Sequence, residues 1–299
     1  MVSSPDSRPI HTSVLLEETL DCLNPITGGV YVDGTLGLGG HSAGILQRSA
    51  PDGKVIAFEW DEAAIKKAAV RLSPYKDRWK IIRRNFAEIS AGLDEAGVSE
   101  IDGLLVDAGL SSLQLDMGDR GFSFQRDEIL DMRMDNRGKT TAESILATCS
   151  QNELADIFFY YGEERQARPI ASAIVESRKK SPIKTTKQLV SVVAKAVPKR
   201  FHPGKIHVAT KVFQALRIAV NTELENLAKI LDEGVAYLTP GARFCVISFH
   251  SLEDRIVKRK FRNNNKLNVV TSKPISASPE EISFNRRSRS ARLRVAEKR

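Results

Sequence analysis

The sequence predicts an α/β fold in which a largely parallel sheet is covered by helices on both faces and an all-helical domain is inserted. Short apolar runs alternate with helical periodicity up to residue 112, and one further buried run follows a long helical stretch. At 299 residues the chain is about twice the usual length of a single domain. One large domain with an insertion, or two domains, would fit this length.

Five runs are predicted to form strands. They are residues 30–33, 54–61, 79–86, 101–107 and 243–249. Helical spacing follows the first three runs at 41–49, at 62–72 and around 88–96, and Pro74 closes the second of these helices. Because strands that alternate with helices form parallel pairs, we expect their carboxyl ends to meet at one edge of the sheet.

The insertion is predicted at residues 115–206, where helical periodicity with polar joints continues without a convincing strand. Residues 1–114 and 207–299 are then expected to form one discontinuous sheet domain. A stripe that packs on this sheet is predicted from the helical spacing of Val212, Leu216, Ala219, Leu227 and Leu231.

The positive charge is concentrated near the C-terminus. Residues 251–299 hold 14 Lys or Arg and five Asp or Glu, in a protein whose net charge is +8. A basic C-terminal tail of this kind suits a phosphate-rich partner, because each contact to a phosphate releases condensed counterions. A solvated charged tail is the alternative. The composition, 41% hydrophobic and 27% charged, excludes a mainly disordered chain.

The cysteines and the absence of long apolar runs indicate the compartment. Cys22, Cys149 and Cys245 match neither a metal spacing nor a disulfide framework, which favours a reducing compartment. No run approaches the roughly 18 apolar residues of a membrane span, and the first residues lack the apolar core of a secretory signal. We therefore expect a soluble, cytoplasmic protein without a membrane partner.

A glycine-rich loop, DGTLGLGGHS at 33–42, lies between the first predicted strand and its helix, where glycines let the backbone approach a ligand. Dinucleotide-binding dehydrogenases use a similar loop, so the loop alone is weak evidence. Asp33 directly precedes the glycines, where its carboxylate would attract a ligand ammonium and repel a pyrophosphate. No P-loop lysine follows, so nucleoside triphosphate hydrolysis has no support.

Two further acids end predicted strands at the same edge. Glu59 can accept both hydroxyls of a ribose, which would suit either an adenosyl group or a dinucleotide. Asp107 begins the polar loop DAGLSSLQLD, where an acid and hydroxyls suit chemistry on an amino group. The alternative is that Asp107 merely caps this loop.

Several segments together resemble a known family. They are HTSVLLEE (11–18), DGTLGLGGHS (33–42), VDAGLSSLQLD (106–116), RGFSF (120–124), LDMRMD (130–135), YGEER (161–165), FQALRIAVNTEL (213–224) and ISFHSLEDRIVK (247–258). In this order and spacing they resemble the bacterial small-subunit ribosomal RNA (cytosine-N4) methyltransferases of the RsmH or MraW type. The resemblance covers residues 11 to about 262.

The resemblance implies a Rossmann-like S-adenosylmethionine-dependent methyltransferase sheet with an inserted all-helical domain. It also implies methylation of one cytosine in the decoding region of small-subunit ribosomal RNA. We expect the partner to be this RNA in the assembled or nearly assembled subunit. The family's cofactor contacts fall on Gly39, Gly40, His41, Glu59, Phe86, Asp107 and Gln114.

This chain departs from the family pattern at a few positions. Glu59 stands where the family commonly has aspartate, and its longer side chain can still reach a ribose. The segments 125–132 and 204–213 also differ, which bears on RNA contacts of the helical domain more than on the reaction. By the same comparison, His11 belongs to an N-terminal segment folded over the cofactor.

The expected reaction is a direct displacement, in which the enzyme aligns the reacting groups and excludes water. Asp107, or a neighbouring loop carbonyl, would accept a hydrogen bond from the cytosine amino group. A competing role of Asp107 is binding the cofactor's methionine moiety. Phe122 and Phe124 would either stack on unpaired bases or pack under the insertion.

Two functions of other classes compete with methyl transfer. An oxidoreductase would bind a dinucleotide, against which Asp33 and the lack of a second nucleotide-binding half argue. A non-catalytic RNA-binding protein would need only the basic tail. His202, His207 and His250 have no metal-ligand spacing, so no metal is expected.

Overall fold

The computed structural model describes residues 12–109 and 119–299. The chain forms two compact units. One contains residues 1–112 and 227–299, and the other contains residues 113–226. Among the described residues, no helix combines the length and the apolar character needed to cross a bilayer.

The first unit is built on a seven-stranded sheet. Its strands are β1 (Val30–Asp33), β2 (Lys54–Phe58), β3 (Trp79–Ile82), β4 (Ile101–Asp107), β5 (Leu238–Ser248), β6 (Leu267–Val269) and β7 (Arg292–Lys298). The order across the sheet is β3-β2-β1-β4-β5-β7-β6, in which β1 to β5 are parallel and β7 is antiparallel to both of its neighbours. The predicted Rossmann-like sheet is confirmed, and all five predicted strands are present. Strands β6 and β7 were not predicted.

Helices follow the strands as the alternating pattern predicts. They are α1 (Leu16–Leu23), α2 (Gly40–Arg48), α3 (Glu62–Leu72), α4 (Ile89–Ala96), α5 (Ala142–Thr148), α6 (Gln151–Tyr160), α7 (Ala167–Lys180), α8 (Thr186–Ala196), α9 (Thr210–Asn221), α10 (Glu223–Glu233), α11 (Ser251–Asn263) and α12 (Pro279–Phe284). Helices α5 to α9 belong to the second unit, whose described part contains no named strand.

Both faces of the sheet are buried, because successive side chains of a strand point to opposite sides. On one face Ile56 and Phe58 of β2 join a cluster with α4, α10 and α11. On the other face Val55 and Ala57 of the same strand join a cluster with α1, α2 and α3. Burial on both sides explains why the parallel strands read as nearly continuous apolar runs.

The helical unit extends further along the chain than the predicted insertion, 115–206, because α9 packs on α6 within this unit. The boundaries of the predicted domains, at 114/115 and 206/207, stay a prediction. The predicted stripe on the sheet is confirmed for Leu227 and Leu231 and wrong for its members before Thr222, which adopts a left-handed conformation (φ 49°) and separates α9 from α10. Val212 is buried in the helical unit, whereas Leu227 is buried against the sheet.

Residues Arg292–Lys298, at the end of the predicted basic tail, form strand β7 of the sheet, so a free tail is wrong for this part. Its contact with a phosphate-rich partner stays a prediction. Strand β7 lies between β5 and β6, and Leu293 and Val295 are fully buried. Between them, Arg294 donates from Nε to Asp254 Oδ1 of α11 at 2.6 Å, and only 7% of its side chain is exposed. A count of charges does not reveal this strand, because it ignores the alternation of side chains between the two faces. It also counts Arg294 as a free cation, although Asp254 neutralises it.

We expect Asp254→Ala to destabilise the protein by about 3 to 5 kcal/mol, because it leaves the Arg294 guanidinium buried without its carboxylate. Equilibrium urea unfolding measures this change. The matched control is Asp232→Ala, which removes an exposed ion pair with Lys260 and should cost at most about 1 kcal/mol. Equal losses in the two variants would contradict a structural role for the buried pair.

Candidate active site

Three carboxylates stand at the carboxyl edge of neighbouring strands. Asp33 ends β1, Glu59 directly follows β2, and Asp107 ends β4. Because β1 pairs with both β2 and β4, the three strand ends lie side by side. The strand order reverses between β1 and β4, which is where open α/β sheets form their ligand crevice.

The glycine loop is attached to both strands that flank β1. The Gly34 N–H donates to the Leu105 carbonyl of β4 at 2.8 Å, and the Leu36 N–H donates to the Phe58 carbonyl of β2 at 3.0 Å. Gly37 has φ 52°, a conformation that other residues rarely adopt. The loop is therefore held across the crevice by backbone hydrogen bonds.

Glu59 holds this loop from the side of β2. Its Oε2 accepts the Gly37 N–H at 3.0 Å, and its Oε1 accepts the N–H groups of Trp60 and Asp61, each at 2.9 Å. Burial raises the pKa of Glu59 to about 7 against the opposing effect of these bonds. A carboxylate has about four acceptor positions, so this arrangement leaves about one for a ligand hydroxyl.

Asp33 fixes the loop to the start of α2. Its Oδ2 accepts the Ser42 hydroxyl at 2.7 Å, its Oδ1 accepts the Thr35 N–H at 3.1 Å, and the residue is 1% exposed. Burial raises the pKa of Asp33, while the neighbouring His41 and Ser42 oppose this shift. Both oxygens thus have internal partners, and the predicted contact with a ligand ammonium stays a prediction.

Asp107 is the most exposed of the three acids. Its N–H donates to Thr35 Oγ1 at 2.6 Å, and its Oδ1 accepts the Gly109 N–H at 3.0 Å. Burial raises the pKa of Asp107, as do Asp33 and Glu253, whereas His41 lowers it. An acid with a raised pKa is a stronger hydrogen-bond acceptor when ionised, which suits contact with an amino group.

The N-terminal segment covers the end of the glycine loop. His41 is 6% exposed, and its Nε2 lies 3.0 Å from the Val14 carbonyl. A Cβ at Gly40 would overlap the Ser13 hydroxyl, so the side chain of Ser13 occupies the space that glycine leaves open. The segment is held in turn by Glu281, whose Oε1 accepts the Leu15 N–H at 3.0 Å.

Of the remaining predicted site residues, the structure describes Phe86 but neither Gln114 nor His11. Phe86 borders the loop, since its Cβ lies 3.2 Å from the position that a Cβ on Gly34 would take. Gln114 and His11 lie outside the described residues. The reasoning from sequence missed Thr35 and Ser42, although both are hydroxyl residues within the glycine motif itself.

Gly39 has a different structural reason from the one predicted. Its φ is 76°, and a Cβ there would lie 3.3 Å from the Ala68 Cβ and 3.5 Å from the Leu72 Cγ of α3. The missing side chain therefore faces a helix. Packing of α2 on α3 and the left-handed backbone both require glycine at this position. A direct contact of its backbone with a ligand stays a prediction.

The predicted stacking platforms are involved in packing inside the helical unit. Phe122 is 9% exposed and lies under the Arg120 guanidinium, 5.5 Å from the ring centroid. The ring of Phe124 packs against His207 and Phe213, with centroid distances of 4.9 and 5.1 Å. Of the two alternatives, stacking on bases and packing within the insertion, the structure describes packing.

Known proteins resemble the chain over nearly its full length. The MraW methylase family model matches residues 8–299. A ribosomal RNA small subunit methyltransferase H of Desulfotalea psychrophila is 69% identical over 295 residues, covering 98% of this chain and 99% of that protein. The protein of that name from Geotalea uraniireducens is 50% identical over 306 residues, covering 96% and 98%. A solved putative rRNA methylase from Clostridium thermocellum is 12% identical with a TM-score of 0.49, covering 98% of this chain and all of that one.

We expect Gly39→Val to lower the free energy of unfolding by about 2 to 5 kcal/mol, combining left-handed strain with overpacking against α3. Thermal and urea unfolding measure this loss. Gly37→Val is the matched control, because Gly37 also has a positive φ but its Cβ would meet only the Thr35 carbonyl at 3.9 Å. It should lose about 1 to 2 kcal/mol through strain alone. An equal loss in both would exclude the packing explanation.

Proposed function

The chain belongs to the MraW methylase family, and from this premise we propose that it transfers a methyl group from S-adenosylmethionine to the N4 amino group of one cytosine in small-subunit ribosomal RNA. The observation that carries the proposal is the 69% identity to a ribosomal RNA small subunit methyltransferase H over 98% of this chain. The crevice at the carboxyl edge of the sheet supports it independently.

The residues of the crevice fit an adenosyl cofactor better than a dinucleotide. The acids Asp33, Glu59 and Asp107 make this edge acceptor-rich and negative, which would repel a pyrophosphate and attract an ammonium or hydroxyl donors. We assign Glu59 to the ribose and the glycine loop with Gly39, Gly40 and His41 to the rest of the cofactor. When bound, S-adenosylmethionine supplies a methyl group activated by its sulfonium.

Phe86 borders the same crevice and is assigned to the adenine, whereas the assignment of Gln114 rests on the family alone. Asp33 is assigned an indirect role, because its two oxygens bind the Thr35 N–H and the Ser42 hydroxyl. It would hold the loop in the form that receives the cofactor.

Asp107 is the residue to which we assign contact with the base. The cytosine amino group is a poor nucleophile because its lone pair is delocalised into the ring. A carboxylate that accepts one amino hydrogen favours the positive charge that develops on nitrogen during the displacement. The Gly109 N–H donates to this carboxylate, and the Thr35 hydroxyl accepts the backbone N–H of Asp107, so both the side chain and its backbone are held in place. Binding of the methionine ammonium is its competing role.

The substrate is proposed to be the assembled or nearly assembled small subunit, in the cytoplasm. Methyl transfer to one base requires that this cytosine leave its stack, and a folded target presents one unpaired base more reproducibly than free RNA. Selection of one cytosine then comes from the structure of the target as well as from the crevice.

We expect tritium from labelled S-adenosylmethionine to enter one cytosine of purified small subunits, and mass mapping should place the methyl group on N4. Methylation at carbon-5, or at many cytosines, would contradict the amino-group mechanism. If labelled cofactor does not bind at all, the non-catalytic RNA-binding alternative is favoured.

Asp107→Ala should lower turnover at least about a hundredfold, the scale of one lost transition-state contact. Calorimetry with S-adenosylmethionine on the same variant separates the two roles of Asp107. Unchanged cofactor affinity with lost turnover assigns the carboxylate to the base, whereas lost affinity assigns it to the methionine moiety. Near-normal turnover would remove Asp107 from catalysis.

Cofactor affinity should fall as the pH drops through about 7, because a ribose hydroxyl donates to the ionised Glu59 carboxylate and its pKa is about 7. Below that pH the decrease should approach about tenfold per pH unit. Calorimetry between about pH 5.5 and 8.5 measures this dependence. Glu59→Gln should bind about 1.5 to 3 kcal/mol more weakly and lose the pH dependence. A wild-type affinity that is flat over this range would contradict the ribose assignment.

A further inference from the structure

One long stretch of the helical unit is basic and contains no acid. Residues 177–222 include 11 Lys or Arg and no Asp or Glu, whereas the whole chain has 45 basic and 37 acidic residues. Eight of these cations are exposed, and six of the eight follow one another along the chain after the end of α7. We call them the basic strip: Lys184, Lys187, Lys195, Lys199, Arg200 and Lys205.

Helix α8 presents the first part of the basic strip on its exposed face. Leu189 and Val193 are fully buried on the opposite face of the helix. Lys187 and Lys195 are exposed and stand about 12 Å apart along the axis, a little over two turns. The Thr185 hydroxyl caps the helix by accepting the Gln188 N–H, so the lysines are carried by a regular helix.

The second part of the basic strip stands on a fixed turn. The Phe201 N–H donates to the Pro198 carbonyl at 2.8 Å, and His202 Nε2 lies 2.9 Å from the Val197 carbonyl. The ring of Phe201 is exposed (48%), and the Arg200 guanidinium lies over it at 4.8 Å from the centroid. A cation and an aromatic face are thus presented together to solvent.

The lysines of the basic strip are not neutralised by ion pairs. Within residues 12–109 and 119–299, no ion pair involves any of them. One acid is close, because Asp127 accepts the backbone N–H of Lys187 at 3.3 Å. Arrays of exposed cations without carboxylate partners gain most from a polyanion, since phosphate contacts release counterions.

We propose that the basic strip binds the phosphate backbone of the RNA substrate and that Phe201 stacks on one of its unpaired bases. This inference rests on the proposed function, which supplies RNA as the partner. An exposed aromatic ring next to unpaired cations is the combination by which proteins hold single-stranded RNA. An acidic protein surface would use the cations but would leave the aromatic face without a role.

The test compares two triple variants in binding to a small-subunit RNA fragment and to assembled subunits over a range of salt concentrations. The first is Lys195→Gln with Lys199→Gln and Lys205→Gln. The control is Lys54→Gln with Lys67→Gln and Lys76→Gln, three exposed lysines of the sheet unit with the same change of charge. Calorimetry with S-adenosylmethionine verifies that both variants keep an intact cofactor site.

We expect the first variant to bind RNA at least about tenfold more weakly, with a logarithmic salt dependence flatter by about two, since each lost single-strand phosphate contact contributes about 0.7. The control should retain the wild-type salt dependence. Phe201→Ala should lose about fivefold or more in affinity with its salt dependence unchanged, because stacking releases no counterions.

An unchanged salt dependence in the first variant, or equal losses in both triple variants, would overturn the assignment of the basic strip. If the first variant lost binding only to assembled subunits, its partner would be a protein component and the RNA assignment would be wrong. A wild-type protein that neither binds nor methylates small-subunit RNA would overturn the proposed function itself. That outcome is distinguishable, because it does not depend on the variants.

Discussion

The buried carboxylate of Asp33 is the contact on which the crevice depends. It joins the last residue of β1 to the Thr35 backbone and the Ser42 hydroxyl, and thereby sets the path of the glycine loop between them. Burying a carboxylate costs free energy unless hydrogen-bond donors reach its oxygens. The loop supplies these donors to Asp33, and Asp33 in turn holds the loop, so each stabilises the other. Glu59 repeats this arrangement from β2 through Gly37. The acids at the crevice therefore fix the conformation of the glycine loop without a ligand.

The sequence predicted those parts of the fold that depend on burial along the chain. The strands from β1 to β5 are apolar on both faces, and the glycine motif marks the turn that follows β1. Strand β7 was missed because Arg292 and Arg294 make a half-buried strand look like a charged tail, and only Asp254 of α11 resolves this. The break at Thr222 was missed because a non-glycine residue in a left-handed conformation has no clear local signal.

Charge shows the same difference between sequence and structure. By count, the cations accumulate after residue 250, yet several of them form ion pairs with acids of the same unit, as Lys260 does with Asp232 and Arg294 with Asp254. Residues 177–222 have no acid of their own to pair with. The cations that remain without an acidic partner after folding set the electrostatic field that a binding partner meets. Which cations these are depends on three-dimensional contacts, and a count of charges along the sequence does not include them.

The position of β7 determines when this molecule can fold during its synthesis. Strand β5 meets β4 only after the whole helical unit has been made, and its other edge stays open until residue 298 has emerged from the ribosome. Pairings between such distant parts of a chain form slowly, and an open edge is prone to aggregation in the interval. The segment over the glycine loop likewise waits for Glu281. A nascent chain therefore carries an open edge at β5, and an untethered segment over the glycine loop, until β7 and Glu281 have been synthesised.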